Sequence, residues 1–207
     1  NDIEKIQQYF SKDNSSSKVR VPLAEGVDVP IYILGSSTSS ARLAAQKGLP
    51  YAFASHFATA QLFNALEIYR DQFQPSEVQE KPYVIAGINA IVADTDQEAE
   101  RLYTSGLRMV INILSGTTSQ YIEPPTDMGT SLKEVRQHPA IMQMTRYSFV
   151  GSKDTVKRQV MEFLEETKAD ELMVSSIMYD SNERIKSAAL FAVIMKEINE
   201  GAIATVD

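Results

Sequence analysis

Cysteine is absent from this 207-residue sequence, which removes disulfide frameworks, thiolate catalysis and cysteine-ligated zinc or iron–sulfur sites together. Histidine occurs only twice, and neither His56 nor His138 has a second histidine or a carboxylate at ligand spacing, so no metal is expected. Basic side chains are the minority, 20 against 27 acidic, for a net charge of −7 and an isoelectric point near 5.0. Binding a phosphate backbone needs a basic face that releases counterions, so nucleic acid is not an expected partner. No apolar run approaches the roughly 18 to 20 residues of a membrane-spanning helix. The amino-terminal stretch NDIEKIQQYF is charged and amphipathic rather than a secretion signal. A cytoplasmic protein with no membrane contact is expected. At 43% hydrophobic and 23% charged residues there is ample material for a core, which argues against disorder or a collagen-like design. The first residue is Asn1 rather than methionine, and we expect a trimmed piece of a longer chain.

What is present is an alternation of strand and helix patterns. Asp2 to Phe10 carries Ile3, Ile6, Tyr9 and Phe10 at helical spacing, and the polar SKDNSSSK that follows is a loop. VDVPIYILG, ending in Gly35, is a β-branched run expected to be buried on both faces. A helix ARLAAQKG stops at Gly48, LPYAFAS is a second strand, and Thr59 to Phe73 a helix stopped by Pro75. PYVIAGINAIVAD is a third strand, and Asp94 to Ile113 one helix capped by Asp94 or Thr95. Residues 114–148 break the rhythm with three prolines and are read as a long insertion with a short helix near Leu132 to Gln137. Ser152 or Asp154 caps a further helix through Glu166, ELMVS at 171–175 is another strand, and Ser181 to Ile198 is an amphipathic helix. The class is α/β with a parallel sheet. Strand candidates starting near residues 29, 50, 83 and 171 are too few to close an eight-stranded barrel, which leaves an open doubly wound sheet as the arithmetic alternative.

The sharpest local feature is IYILGSSTSSARLAAQKGLP, residues 31–50: a strand emerges at Gly35, hydroxyls crowd the turn, and a helix starts inside it. Helix amino termini present unpaired N–H groups and the positive end of the dipole, a place for a phosphate. The glycines of GxGxxG and the lysine of a P-loop are both missing, which disfavours dinucleotides and nucleoside triphosphates. An anion site and a plain serine-rich helix cap remain equally open on this chemistry alone.

The same stretch, GSSTSSARLAAQKGLPYAFASHF at 35–57, resembles the segment after the fifth barrel strand of the bacterial luciferase-like flavin monooxygenases. PYVIAGINAIVADTDQEAERL and FVGSKDTVKRQVMEFLEETKADELMV are similar to that family's seventh-strand and eighth-strand regions. The resemblance runs from Val29 to about Ile198. It implies the C-terminal half of a (β/α)8 TIM barrel, strands five to eight, forming one partial domain over 1–207 with the 114–148 insertion at the barrel mouth. It also implies an oxidoreductase in which reduced FMN, supplied by a flavin reductase, activates dioxygen to oxygenate an aldehyde-like or other small organic substrate, in a protein that is a homodimer when whole. Gly35, Ser36, Ser37 and Ser40 fall on the family's phosphate-contacting positions, with Thr38 and Ser39 weaker candidates. Some members carry glutamate where Ser36 stands. The family's catalytic histidine lies on an early strand outside this chain, so no catalytic residue is named and the piece alone is expected to be inactive.

His56, at a C-terminal strand end, is a candidate for contact with flavin or substrate, although a structural hydrogen-bonded role is the commoner fate. His138 is expected in a loop. Asp94, Asp96, Glu98 and Glu100 sit where a helix begins, and dipole compensation accounts for them. Arg42 supplements the anion site or points to solvent. Met142, Met144, Tyr147 and Phe149 line a substrate cavity or fill the core. Two alternatives stand beside the monooxygenase: a deazaflavin-dependent oxidoreductase, and a non-catalytic flavin- or phosphate-binding half-barrel. A half-barrel also leaves raw sheet edges, and the strand near Ile31 is expected to be covered by another copy or another piece of chain.

Overall fold

The computed structural model describes residues 2–12, 14, 17–117 and 121–203; parts of the serine-rich loop and of the insertion lie outside them. The chain divides into two compact units, Asn1–Tyr32 and Ile33–Asp207. In the first unit the amphipathic stretch forms α1 (Asp2–Phe10), with Asp2 and Glu4 in its first turn. The loop after it closes through an Arg20–Glu25 ion pair at 2.6 Å.

The second unit alternates β1 (Ile33–Gly35), α2 (Thr38–Lys47), β2 (Tyr51–Phe53), α3 (Leu62–Asp71), β3 (Val84–Ala93) and α4 (Asp96–Leu114). It continues with α5 (Thr130–Arg136), α6 (Pro139–Met144), β4 (Ser148–Ser152), α7 (Lys153–Thr167), β5 (Glu171–Ser175) and α8 (Ser181–Ile203). The cap signals act as their chemistry dictates: Thr95 accepts from the Glu98 N–H at 3.1 Å to start α4, and Gly48 ends α2 in the left-handed region at φ 58°. Pro139 occupies the first turn of α6, where its missing N–H costs nothing.

All described strand pairs are parallel. β3 is the axis: its residues 84–86 pair with β2, 85–89 with β5 and 89–93 with β4. Ile85 and Ala86 pair with both β2 and β5, so those two strands lie on opposite edges. Asn89 pairs with both β4 and β5, so β4 continues the edge that β2 begins. β4 is a fifth strand that the sequence pattern did not single out.

Alternation along β3 divides the structure. The even-numbered Val84, Ala86, Ile88, Ala90 and Val92 join a core with Ala41 and Ala44 of α2, Leu62 and Leu66 of α3, Val160 and Phe163 of α7 and Ile194 of α8. Each fully buried large side chain there contributes about 1.5 to 3 kcal/mol. The odd-numbered Ile91 and Ala93 join a second core with Leu102, Leu107 and Val110 of α4, Ile141 of α6 and Val150 of β4. Below that second core the odd face is covered at its centre, where Ala52 and Ile85 are buried, but not at its margins. Leu34 pairs with Ala52, which pairs with Ile85, and Met173 pairs with Gly87, so all lie on this face. Leu34 is 68% and Met173 59% exposed. Burial of the first strand on both faces, expected from its apolar run, is therefore not realised: the strand is only three residues long, it pairs only with β2 among the described residues, and Leu34 on its odd face stays exposed.

Candidate functional site

The strands end at one mouth. β1 ends at Gly35 and β2 at Phe53, while Ser175 closes β5 level with Asn89 of β3. At the β1–α2 turn, Ser37 is the N-cap in extended backbone (φ −139°, ψ 160°), and its hydroxyl accepts from the Ser40 N–H at 3.3 Å. The Ser37 N–H in turn donates to Ser40 Oγ at 3.4 Å, a reciprocal capping box. Ser40 Oγ donates to the Ser37 carbonyl at 2.8 Å and lies 3.0 Å from the Tyr51 hydroxyl, which itself donates to the Ser37 carbonyl at 3.1 Å. A Cβ on Gly35 would fall inside contact distance of Ser40 Oγ, so only glycine allows Ser40 to fold beneath the turn. Thr38 N–H donates to Gln61 Oε1 at 3.3 Å, and an Arg42 Nη1 reaches Thr38 Oγ1 at 3.5 Å. Ser36 faces a cavity of about 410 Å³ that it shares with Thr59, Gln61 and Gln143.

Beyond β2, Ser55 is buried and donates to the Gly87 carbonyl at 2.6 Å. His56 lies across β3: a Cβ on Gly87 would come within 2.5 Å of its Nδ1. The imidazole meets the Phe57 ring edge-on, centroids 4.6 Å apart. Burial lowers the His56 pKa from its ordinary value, so the ring is neutral at pH 7. Asn89 Nδ2 donates to the His56 carbonyl at 2.7 Å and to Ser148 Oγ at 3.4 Å, while its Oδ1 accepts from Ser175 Oγ. This group ties β2, β3, β4 and β5 together at the mouth. His56 and Asn89 line a second cavity of about 400 Å³, roofed by α4 and α6. Phe57 and Met144 line both cavities, which therefore adjoin.

Of the remaining candidates, Met144 lines these cavities, whereas Met142 lines a separate groove. Tyr147 and Phe149 pack on Phe163, centroids 5.0 and 5.6 Å away, and fill the core. The acidic residues are engaged structurally: Asp96 accepts from Ser152 N at 2.6 Å, Glu98 pairs with Arg101, Glu100 with Arg136 and Asp94 with Lys186. His138 is the N-cap of α6, accepting from Ala140 N at 3.4 Å. Asn89, Ser148 and Ser175 were not singled out from the sequence, although a lone amide inside PYVIAGINAIVAD is the kind of polar interruption that marks a site. Among the described residues no cluster of three or more metal-ligating side chains occurs, and no helix is long and apolar enough to cross a membrane.

A parallel α/β sheet whose strand ends gather a hydroxyl-rich helix start beside a partly apolar cavity defines the class: an α/β-barrel-type protein with its candidate ligand site at the C-terminal ends of the strands. The chain belongs to the luciferase-like monooxygenase family, whose sequence model matches residues 8–171. It is 38% identical over 197 residues to a luciferase-like monooxygenase of Escherichia coli K12, covering 95% of this chain and 58% of that protein. Among solved structures it is similar to apo-MsnO8, with a TM-score of 0.79 at 28% identity over 94% of this chain and 58% of that one. It also shares the fold of the oxygenating constituent of 3,6-diketocamphane monooxygenase from Pseudomonas putida, solved in complex with FMN, with a TM-score of 0.52 at 19% identity over 87% and 52% of the two chains. The chain thus spans somewhat under three-fifths of the curated relatives it matches, and its sheet is half of a (β/α)8 barrel.

Proposed function

We propose that this chain is the FMN-holding half of a flavin-dependent monooxygenase. The observation that carries the reading is the adjacency of the α2 amino terminus, where Ser36 faces one cavity, to the cavity at His56 and Asn89, with Phe57 and Met144 common to both. A phosphate fits at the first because helix N–H groups and small hydroxyls gather there without bulk. A planar, largely apolar ring system fits beside the second.

Ser36 would hold the phosphate, with Gly35 letting the backbone approach closely, and Arg42 adds positive charge nearby. Ser40 acts from beneath, fixing the Ser37 carbonyl and backbone through the capping box. His56, held neutral against Gly87, offers a hydrogen-bonding imidazole to flavin or substrate, and Asn89 fixes the backbone that carries it. When bound in its reduced form, FMN supplies the electrons that activate dioxygen for transfer of one oxygen atom to a small organic substrate. The residues around it exclude water. A flavin reductase, a homodimeric assembly and a cytoplasmic location complete the reading; the family resemblance supports them.

Titration of the full-length protein with FMN and with the deazaflavin cofactor tests the reading. FMN should bind the more tightly, and Ser36→Ala or Ser37→Ala should weaken it by about 1 to 2 kcal/mol, roughly 5- to 30-fold. Preference for deazaflavin, or no flavin binding at all, would overturn it.

A further inference from the structure

We propose that the cavity floored by Asn89 and Ile91 receives an uncharged, predominantly apolar substrate with a single hydrogen-bonding group, and that it rejects carboxylates, phosphates and ammonium ions of the same size. That the occupant is a substrate rests on the monooxygenase reading; the neutrality of the site follows from its walls.

The cavity, about 400 Å³, is of the size that encloses a small organic molecule. No lysine, arginine, aspartate or glutamate is among the described residues that line it. Ile91 of β3, Met109, Val110 and Ile113 of α4 and Ile177 beyond β5 make one side apolar. Of the two titratable groups present, Tyr103 is a phenol that stays uncharged at pH 7, and burial moves the pKa of each toward the neutral form, down for His56 and up for Tyr103. An ion entering such a space loses its hydration and meets no opposite charge.

The polar side chains are few: His56, Asn89 and Ser148 at the strand ends, with Tyr103 of α4 and Thr145 after α6. Asn89 is committed on both ends of its amide, to Ser175 on one and to the His56 carbonyl and Ser148 on the other. Thr145 Oγ1 donates to the Ile141 carbonyl at 2.8 Å, and the Tyr103 hydroxyl is engaged with Thr145 and Ser148, so the His56 imidazole is the group these walls offer a ligand. One hydrogen-bonding group on an otherwise apolar body matches this division, whereas a polyhydroxylated or zwitterionic molecule would strand polar atoms against isoleucine and methionine.

This neutrality is particular to the mouth. Along the first turns of α4 a groove of about 870 Å³ is lined by Glu98, Glu100, Arg101, Asp127, Lys133 and Arg136. The fold therefore has charge to place around a cavity and places none around this one.

The test is calorimetric titration of the flavin-free full-length protein at pH 7 with three ligands of one chain length: 1-octanol, octanoate and octylammonium. The alcohol should bind with a one-to-one stoichiometry and at least tenfold more tightly than either ion. Ile113, half exposed on the last turn of α4, can be enlarged without disturbing either core, and Ile113→Trp should weaken the alcohol at least tenfold. Met109→Phe blocks the same space from the preceding turn and replaces it should that variant fail to fold. Equal binding of an ion, no binding of the alcohol, or alcohol binding that both enlargements leave untouched would overturn the proposal. FMN titration of the unaltered protein is read separately: alcohol binding without FMN binding would defeat the flavin reading and leave the neutral cavity standing.

Discussion

The hydroxyl of Ser40 lies in the space that a Cβ on Gly35 would need. From there it donates to the Ser37 carbonyl at 2.8 Å and contacts the Tyr51 hydroxyl at 3.0 Å, so the strand end, the helix cap and the next strand are held by one small side chain. Gly35→Ala should force Ser40 out and open the capping box, costing about 1 to 3 kcal/mol of stability. Urea unfolding measures this, and the double variant Gly35→Ala with Ser40→Gly should recover part of the loss because the clash is removed. Full stability of Gly35→Ala alone would show that Ser40 has another place to go.

That relationship also marks where sequence reading stops. GSSTSS announces a helix start, because serine at the cap and a hydroxyl three residues on are a local signature, and the long periodic segments 96–114 and 181–203 are equally local. Which hydroxyl faces outward is not local: Ser40 turns inward because Tyr51, eleven residues away, receives it. β4 escaped notice because SFVGS is too short for an alternation to register, and what makes it a strand is the upper half of β3. The expected burial of VDVPIYILG failed for a related reason: apolar residues show that a run can be covered, and among the described residues Leu34 is left exposed. At the site, His56 was visible as a histidine at a strand end, whereas the Asn89 cluster depends on four strands meeting.

His56 should give the protein an acid-sensitive step. Its folded pKa lies below the ordinary value because the ring is partly buried, whereas the unfolded imidazole takes up a proton near pH 6.5. Above that pH both states are neutral and its contribution to stability is fully present. As pH falls through the window below it, the unfolded chain binds more protons and stability drops until the folded ring also protonates. Thermal midpoints measured between pH 7.5 and 5 should decline less in His56→Gln than in the unaltered protein. An identical decline would place the sensitivity elsewhere.

Glu197 of α8 accepts from Lys153 and Lys157 of α7, both at 2.8 Å, and these hydrogen bonds lower its pKa to about 2. The carboxylate therefore supports the α7–α8 packing above the ordinary glutamate range, and that support is lost as pH falls from there toward 2. The group is open to solvent, so added salt should shrink the effect. Glu197→Gln should flatten the acid limb of the stability profile at low ionic strength and change little in 1 M salt. A salt-independent effect would mean that the link between the helices is packing and not charge.

The exposed margins of the sheet's odd face should govern how the 207-residue chain behaves by itself. Leu34 and Met173 stand exposed at its two margins, on strands that each pair with only one other among the described residues. Apolar side chains beside unpaired backbone groups are a template for pairing with a second chain. Sedimentation over a range of concentrations should therefore show association of the isolated chain. Leu34→Lys with Met173→Lys should suppress it, because two like charges on that face must be desolvated and brought together on contact. Both positions point away from the core that α2, α3, α7 and α8 build, so the monomer's unfolding midpoint should move by less than about 1 kcal/mol. Association that persists in the double variant would locate the sticky surface on another face of the chain.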